Sequence, residues 1–231
     1  MSGDCSLRIA LVADIHSNLL ALEAVMEAMK KKDVQRILNA GDIVGYGPRP
    51  NEVIDLVRRS DFRSIRGNHD HAVLVGEYGW FNESAAAAAK WTADIIGDSN
   101  LEYLDRLKRE EVIKIDGKSI GMFHGSPEDP DEYVFDESRA EELLRKTAYD
   151  VIICGHTHSP MKVRIGKRLF INPGSVGQPR DGNPDASFSI LDLDTMESEI
   201  IRVGYDVSAV RQDMLKKGLP RSLSSRLSEG H

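Results

Sequence analysis

The sequence predicts a layered α/β protein, and three observations predict it. Short, continuous apolar runs rich in β-branched residues alternate with stretches whose apolar residues recur at three- and four-residue steps. Continuous runs suit strands covered on both faces, because each side chain meets a layer of protein whichever way it points. Run after run also ends in Asp, Asn or His, and layered α/β folds gather their ligands at the carboxyl ends of strands.

Taken in order, Ile9-Ala10-Leu11-Val12 reads as a strand that ends at Asp14-Ile15-His16-Ser17-Asn18. Residues 19–32 turn helical, with Leu19, Leu22, Val25, Met26 and Met29 on one face. The lysine-rich end, Lys30-Lys31-Lys32, suits the negative end of a helix and is read as a solvated terminus, not a nucleic-acid patch. Strand 36–40 ends at Gly41-Asp42, and Pro50-Asn51-Glu52 opens a helix over 53–58. Strand 62–65 runs into Gly67-Asn68-His69-Asp70. Residues 82–96 and 101–107 are helical, the first alanine-rich. Residues 112–115 and 119–123, joined by Asp116-Gly117, form a β-hairpin that ends at His124-Gly125-Ser126. Helix 137–146 leads to strand 150–154 and then to Gly155-His156-Thr157-His158. Strands 161–165, 168–171, 187–193 and 200–203 and a helix over 208–217 complete the pattern. No repeat or low-complexity linker interrupts it, so one domain over 1–231 is expected.

The 231 residues are 41% hydrophobic and 29% charged, an ordinary globular balance. A chain of this length buries enough surface to hold a core without disulfides or a structural metal, so a metal site here points to function. The net charge of −7 argues against extended nucleic-acid binding, which rests on clustered Lys and Arg, but leaves room for a small phosphorylated substrate. Cys154 lies in an apolar strand and Cys5 near the terminus, so no disulfide is expected. The opening residues lack the basic and apolar segments of a signal peptide, and residues 7–13 are too short to span a bilayer. A cytoplasmic protein that does not enter the membrane is expected; a homodimer is compatible with the sequence but written in no residue of it.

Five strand ends in succession deliver candidate metal ligands: Asp14 and His16, Asp42, Asn68 and His69, His124, then His156 and His158. Alone, each is a common turn or cap. Their conjunction is not, since five of the seven histidines fall in these motifs. Mixed carboxylate, imidazole and amide ligands suit Mn, Fe, Co or Zn better than a thiolate-bound structural zinc.

The order and content of these motifs resemble the calcineurin-like metallophosphoesterase superfamily, and within it the compact prokaryotic phosphodiesterase-like branch. Asp14-Ile15-His16, Gly41-Asp42, Gly67-Asn68-His69-Asp70, His124 and Gly155-His156-Thr157-His158 carry the resemblance. Gly45-Tyr46-Gly47 and Asn172-Pro173-Gly174-Ser175-Val176-Gly177 support it, and it covers nearly the whole chain. It implies two packed mixed β-sheets flanked by helices, an α-β-β-α four-layer sandwich with a dinuclear metal site at the strand ends. It also implies one ion held by Asp14, His16, Asp42 and His158, and a second by Asp42, Asn68, His124 and His156, with Asp42 bridging. Two divalent ions follow, Mn first, with Fe, Ni, Co or Zn as alternatives. A water or hydroxide between the ions would attack phosphorus in line, with His69 as the catalytic imidazole and Asp70 as its orienting partner or a turn residue. No protein nucleophile is expected from Cys154 or Ser126.

The resemblance thus implies a phosphoric ester hydrolase, phosphodiesterase first, with a phosphomonoesterase on a small phosphorylated substrate as the alternative. The protein Ser/Thr phosphatases of the superfamily carry an Asp-Arg pair where this chain has Gly45-Tyr46, which favours the phosphodiesterase-like branch. A non-catalytic protein-binding scaffold of the same fold is the reading from a different class. Retention of all seven ligand positions and His69 favours the enzyme. Arg180 reads as a surface-loop arginine, with substrate binding as the alternative. Tyr78, Trp80 and Phe81 read as anchors of the next helix, with a lid or nucleobase platform as the alternative.

Overall fold

The computed structural model describes residues 7–231, so Cys5 and the terminal residues before Leu7 lie outside the described residues. The elements run β1 (Arg8–Val12), α1 (Leu19–Lys30), β2 (Arg36–Asn39), α2 (Pro50–Arg59), β3 (Arg63–Ser64), α3 (Asn68–Val75), α4 (Glu83–Ile95) and α5 (Asp98–Arg106). They continue with β4 (Glu110–Ile115), β5 (Lys118–Phe123), α6 (Glu137–Lys146), β6 (Val151–Ile153), β7 (Met161–Ile165), β8 (Arg168–Asn172), β9 (Ala186–Asp192), β10 (Glu197–Val203), α7 (Val207–Lys216) and α8 (Arg221–Glu229). Short polar side chains start several helices: Asn18, Asn82, Asp136 and Asp206 each accept a first-turn amide.

The strands form two five-stranded sheets, ordered β10-β9-β1-β2-β3 and β4-β5-β6-β8-β7. β1, β2 and β3 are mutually parallel, and so are β5, β6 and β8. Antiparallel β9 and β10 extend the first sheet on the β1 side, parallel β3 forms its other edge, and antiparallel β4 and β7 close the second sheet. Alternation along β1 explains the layering. Ile9 and Leu11 point into the apolar layer between the sheets, with Leu38, Ile120, Ile153 and Ile171. Ala10 and Val12 point the other way, against Leu22 and Val25 of α1 and Val53 of α2. On the far side Ile152, Cys154 and Phe170 pack on Leu143 and Leu144 of α6. The result is the four-layer sandwich that the resemblance implied. Cys154 is buried with a free thiol, pushed up in pKa by desolvation, which suits a packing role. Among the described residues no helix is long and apolar enough to cross a membrane.

Two helices go beyond the sequence reading. The segment Gly67-Asn68-His69-Asp70, which the sequence presents as the polar end of a strand, opens helix α3: the Asp70 carboxylate turns back to accept the Gly67 amide at 3.0 Å and so caps its own helix. Residues 221–229 form α8, whose Leu223 and Leu227 pack with Val210 and Met214 of α7 on Ala85 and Ala88 of α4. The third strand is also reduced to Arg63–Ser64, since only those two residues pair with β2.

The inter-sheet layer makes a quantitative prediction. Leu11→Ala, at a fully buried position, is expected to lower the stability by about 2–5 kcal/mol in denaturant unfolding. Val112→Ser, on the half-exposed outer face of β4, should stay within about 0.5 kcal/mol of the parent.

Candidate metal centre

Because the central strands are parallel within each sheet and the sheets are stacked, five strand ends deliver their loops to one edge. β1 brings Asp14 and His16, β2 brings Asp42, β3 leads to Asn68 and His69, β5 brings His124, and β6 brings His156 and His158. The backbone bends sharply there: Asp14, His16, Asp42, His156 and His158 all have φ between 47° and 69°. Non-glycine residues rarely hold that left-handed conformation, and the strain persists only where the surroundings over-determine it.

What they build is a cluster of facing lone pairs. His16 Nε2 stands 3.1 Å from His158 Nε2, and His124 Nε2 stands 3.1 Å from His156 Nδ1 and 3.0 Å from Asn68 Oδ1. Asp42 Oδ2 lies 3.6 Å from His16 Nε2 and 3.3 Å from His124 Nε2, between the two halves. Asp14 Oδ1 is 3.8 Å from His16 Nε2 and 3.6 Å from His158 Nε2. Three sets, Asp14 with His16 and His158, His16 with Asp42 and His69, and Asp42 with His124 and His156, bring their ligand atoms within 4.8 Å of one another.

The surrounding backbone decides which nitrogen faces inward. His16 Nδ1 meets Val44 O at 3.0 Å, His124 Nδ1 meets Ala40 O at 2.8 Å and His158 Nδ1 meets Gln178 O at 2.6 Å. A carbonyl only accepts, so each Nδ1 carries a proton, and each ring in its neutral form turns the Nε2 lone pair toward the carboxylates. The carboxylates are aimed likewise: Asp42 Oδ1 accepts the His69 amide at 2.9 Å and Asp14 Oδ2 accepts the His156 amide at 3.0 Å. That leaves Asp14 Oδ1 and Asp42 Oδ2 buried without a hydrogen-bond partner. Lone pairs that converge this closely, with no donor between most of them, repel unless a cation sits among them. The donor set therefore fits divalent ions.

The electrostatics agree. Desolvation raises Asp14 to about 7, whereas Asp42, though equally buried, is held well below its usual range by His124, His69 and His16. Burial works against a charge on His124, but the carboxylates of Asp42 and Asp14 outweigh it and push the ring up to about 10. A proton on His124 there does what a metal cation would do. Burial pulls His16 and His158 well below their usual value, His156 to about 3 and His69 to about 4.

His69 and Asp70 diverge in their contacts. The His69 ring is stacked on Phe81 at 4.3 Å and packed beside Tyr46 at 4.4 Å, on the wall of a cavity of about 470 Å³ that opens from the cluster. The Asp70 carboxylate, raised to about 7 by burial, accepts the amides of Val44 and Gly67, both at 3.0 Å. It thereby ties together the two loops that carry Asp42 and His69. The segment 172–177 acts the same way: Asn172 Nδ2 donates to Gly155 O at 2.8 Å, and Ser175 Oγ donates to Asp14 O at 2.7 Å.

The cavity also holds residues the strand-end motifs did not mark. Arg66 and Arg109 line it, and neither stands in a pattern that sequence reading recognises. Tyr133 lies flat on His156 at 3.8 Å. Arg180 is half-buried on the wall, its Nη2 donating to Tyr46 Oη at 3.0 Å. Of the three neighbouring aromatics, Tyr78 and Phe81 pack against the core, while Trp80 is 55% exposed at the mouth.

A strained, buried cluster of carboxylates and imidazoles at the meeting edge of two sheets defines a protein built to hold divalent metal ions, and sequence comparison adds that the class is a metal-dependent hydrolase of phosphate esters. Residues 7–196 match the calcineurin-like phosphoesterase superfamily domain, and the chain belongs to that superfamily. An uncharacterized protein of Methanocaldococcus jannaschii is 38% identical over 96% of this chain and 98% of its own. The phosphodiesterase YfcE of Escherichia coli is 25% identical over 82% of this chain and 90% of its own. The crystal structure of a metallophosphoesterase from Sphaerobacter thermophilus superimposes with a TM-score of 0.84 at 36% identity, covering 98% of this chain and 100% of the other.

Gly67 gives the test of this packing. A Cβ there would collide with Asp42 Oδ1 and lie 2.5 Å from the Asp42 amide nitrogen. Gly67→Ala is expected to displace Asp42 and weaken divalent-ion binding by about 10–100-fold in calorimetric titration, with helical circular dichroism unchanged.

Proposed function

We propose that the chain is a phosphodiesterase working with two divalent ions, manganese first. Asp14, His16, Asp42 and His158 hold one ion, and Asp42, Asn68, His124 and His156 hold the other. The observation that carries this reading is the position of Asp42 Oδ2, unpartnered and within 3.6 Å of imidazoles from both halves. A single carboxylate so placed can serve both ions. Ions bound there supply positive charge for the phosphate oxygens and lower the pKa of water enough to make it a nucleophile at neutral pH.

The chain's own residues do the rest. His69, beside Asn68 on the cavity wall, faces the departing ester oxygen and hands it a proton. Burial alone keeps that ring neutral, but a phosphate anion seated against it favours the protonated form. Asp70 holds the His69 loop against the Asp42 loop through the Val44 and Gly67 amides. Both sheets contribute ligands, which supports one domain over 1–231. Diesters are favoured over monoesters because the cavity of about 470 Å³ has room for a second ester arm. The YfcE relative is likewise a phosphodiesterase.

The test is to strip the protein with a chelator, restore Mn²⁺, and follow hydrolysis of bis(4-nitrophenyl) phosphate against 4-nitrophenyl phosphate. Metal-dependent turnover of the diester in excess of the monoester is expected, and Asp42→Asn should reduce both to background. A monoester preference would move the assignment to phosphomonoesterase. Equal turnover with and without metal would overturn the dinuclear reading.

A further inference from the structure

The cavity wall beyond the metal cluster carries a second cluster, of cations. Arg66 immediately precedes Gly67 and Asn68, and its backbone amide donates to Lys108 O at 2.7 Å. That bond sets Arg66 beside Arg109, and both side chains line the cavity with His71. Arg66 Nε and His71 Nδ1 are buried without a hydrogen-bond partner. Among the described residues the one carboxylate in ion-pair range of Arg66 is Asp105, at 3.6 Å and 79% exposed, a contact too solvated to neutralise it. Arg109 has no carboxylate partner among the described residues. Of the residues lining the cavity, four are arginines and one, Asp131, is acidic. In a chain of net charge −7 this is a local reversal of sign. Two arginines on one cavity wall, with the Arg66 Nε donor unused, suit the planar, bidentate binding of a phosphate.

Flat apolar surface completes the mouth. Tyr133 is 50% exposed and lies on His156, and Trp80 is 55% exposed. Both line the same cavity, so the aromatic faces and the arginines meet one occupant. Exposed aromatic faces beside a cationic groove are the elements that hold a nucleobase and its phosphate.

We infer that the substrate is a small nucleotide with two phosphoryl groups, one cleaved at the Asp and His cluster and one left intact between Arg66 and Arg109, with a base against Tyr133 or Trp80. The inference rests on the phosphodiesterase reading and names its substrate class. In the reaction, water supplies the oxygen of the new P–O bond, the ester P–O bond breaks, and the leaving hydroxyl keeps the electron pair and takes up a proton. The second phosphate is a handle and does not react.

The experiment compares three diesters on the Mn²⁺-loaded protein: the 5′-phosphorylated dinucleotide pApA, the same dinucleotide without its terminal phosphate, ApA, and bis(4-nitrophenyl) phosphate. Turnover of diadenosine tetraphosphate in excess of pApA would mean an anhydride linkage and overturn the diester assignment. The expected result is a kcat/KM for pApA at least about tenfold above that for ApA. Arg109→Ala should shrink that ratio toward one, and Arg109→Lys should retain part of it. Calorimetric binding of pApA and ApA to the metal-free protein gives a readout apart from turnover, with tighter binding of pApA expected and lost in Arg66→Ala. Equal kcat/KM for pApA and ApA, with equal affinity, overturns the second-phosphate site while leaving the phosphodiesterase intact. Turnover of bis(4-nitrophenyl) phosphate alone overturns the nucleotide. If no ester is cleaved, the phosphodiesterase reading fails, and the two affinities still decide whether the arginines select a second phosphate.

Discussion

The structure is organised around the cost of burying carboxylates and imidazoles that face each other. Asp14 and Asp42 are fully enclosed, and each turns one oxygen to a backbone amide and the other into a cluster of lone pairs. Such an arrangement is unfavourable by itself, because desolvated charge needs compensation and the ligands repel one another. It holds because the surroundings allow no relaxation. Three histidines are fixed through Nδ1 by carbonyls of other loops, and Asp70 and Ser175 stitch loops that are distant in sequence.

That demand accounts for the architecture around it. A loop is a poor foundation for a strained residue, whereas the carboxyl end of a strand buried on both faces is a rigid one. Five such ends are needed, and stacking two sheets with parallel centres brings them to one edge without long connections. Close approach at the edge then dictates small residues. Gly67 lets the Asp42 carboxylate reach the α3 amides, and a Cβ at Gly177 would strike the carbonyl of Ile15. These glycines are consequences of the cluster.

How much of this was legible in the sequence follows from the same physics. The strands and most helices were readable because continuous apolar runs and helical spacing reflect burial, which is local in sequence. The strand-end ligands were readable because Asp, His and Asn after an apolar run break its pattern five times over. The helix at 68–75 was not readable, because its start is a polar motif and its cap is a carboxylate that also looks like a site residue. The second helix beyond residue 217 was hidden because its buried face is narrow, Leu223 and Leu227 among serines and arginines. The cavity arginines were invisible for a different reason. Arg66 and Arg109 are far apart in the chain, and only the bond from the Arg66 amide to Lys108 O makes them neighbours.

This last difference separates what the metal cluster and the cavity mouth can each determine. The cluster is built from strand ends that the two sheets hold in place, so its geometry is tied to the fold and suits the one feature every phosphate ester shares. The mouth is built from connections: the start of α3, the segment after it that carries Trp80, the loop before β4 and the segment between β5 and α6. Connections tolerate substitution and insertion where the sheets do not. A chain of this fold can therefore keep its chemistry while changing what it accepts, and the identity of the substrate has to be sought in Arg66, Arg109, Trp80 and Tyr133 rather than in the residues that match the family.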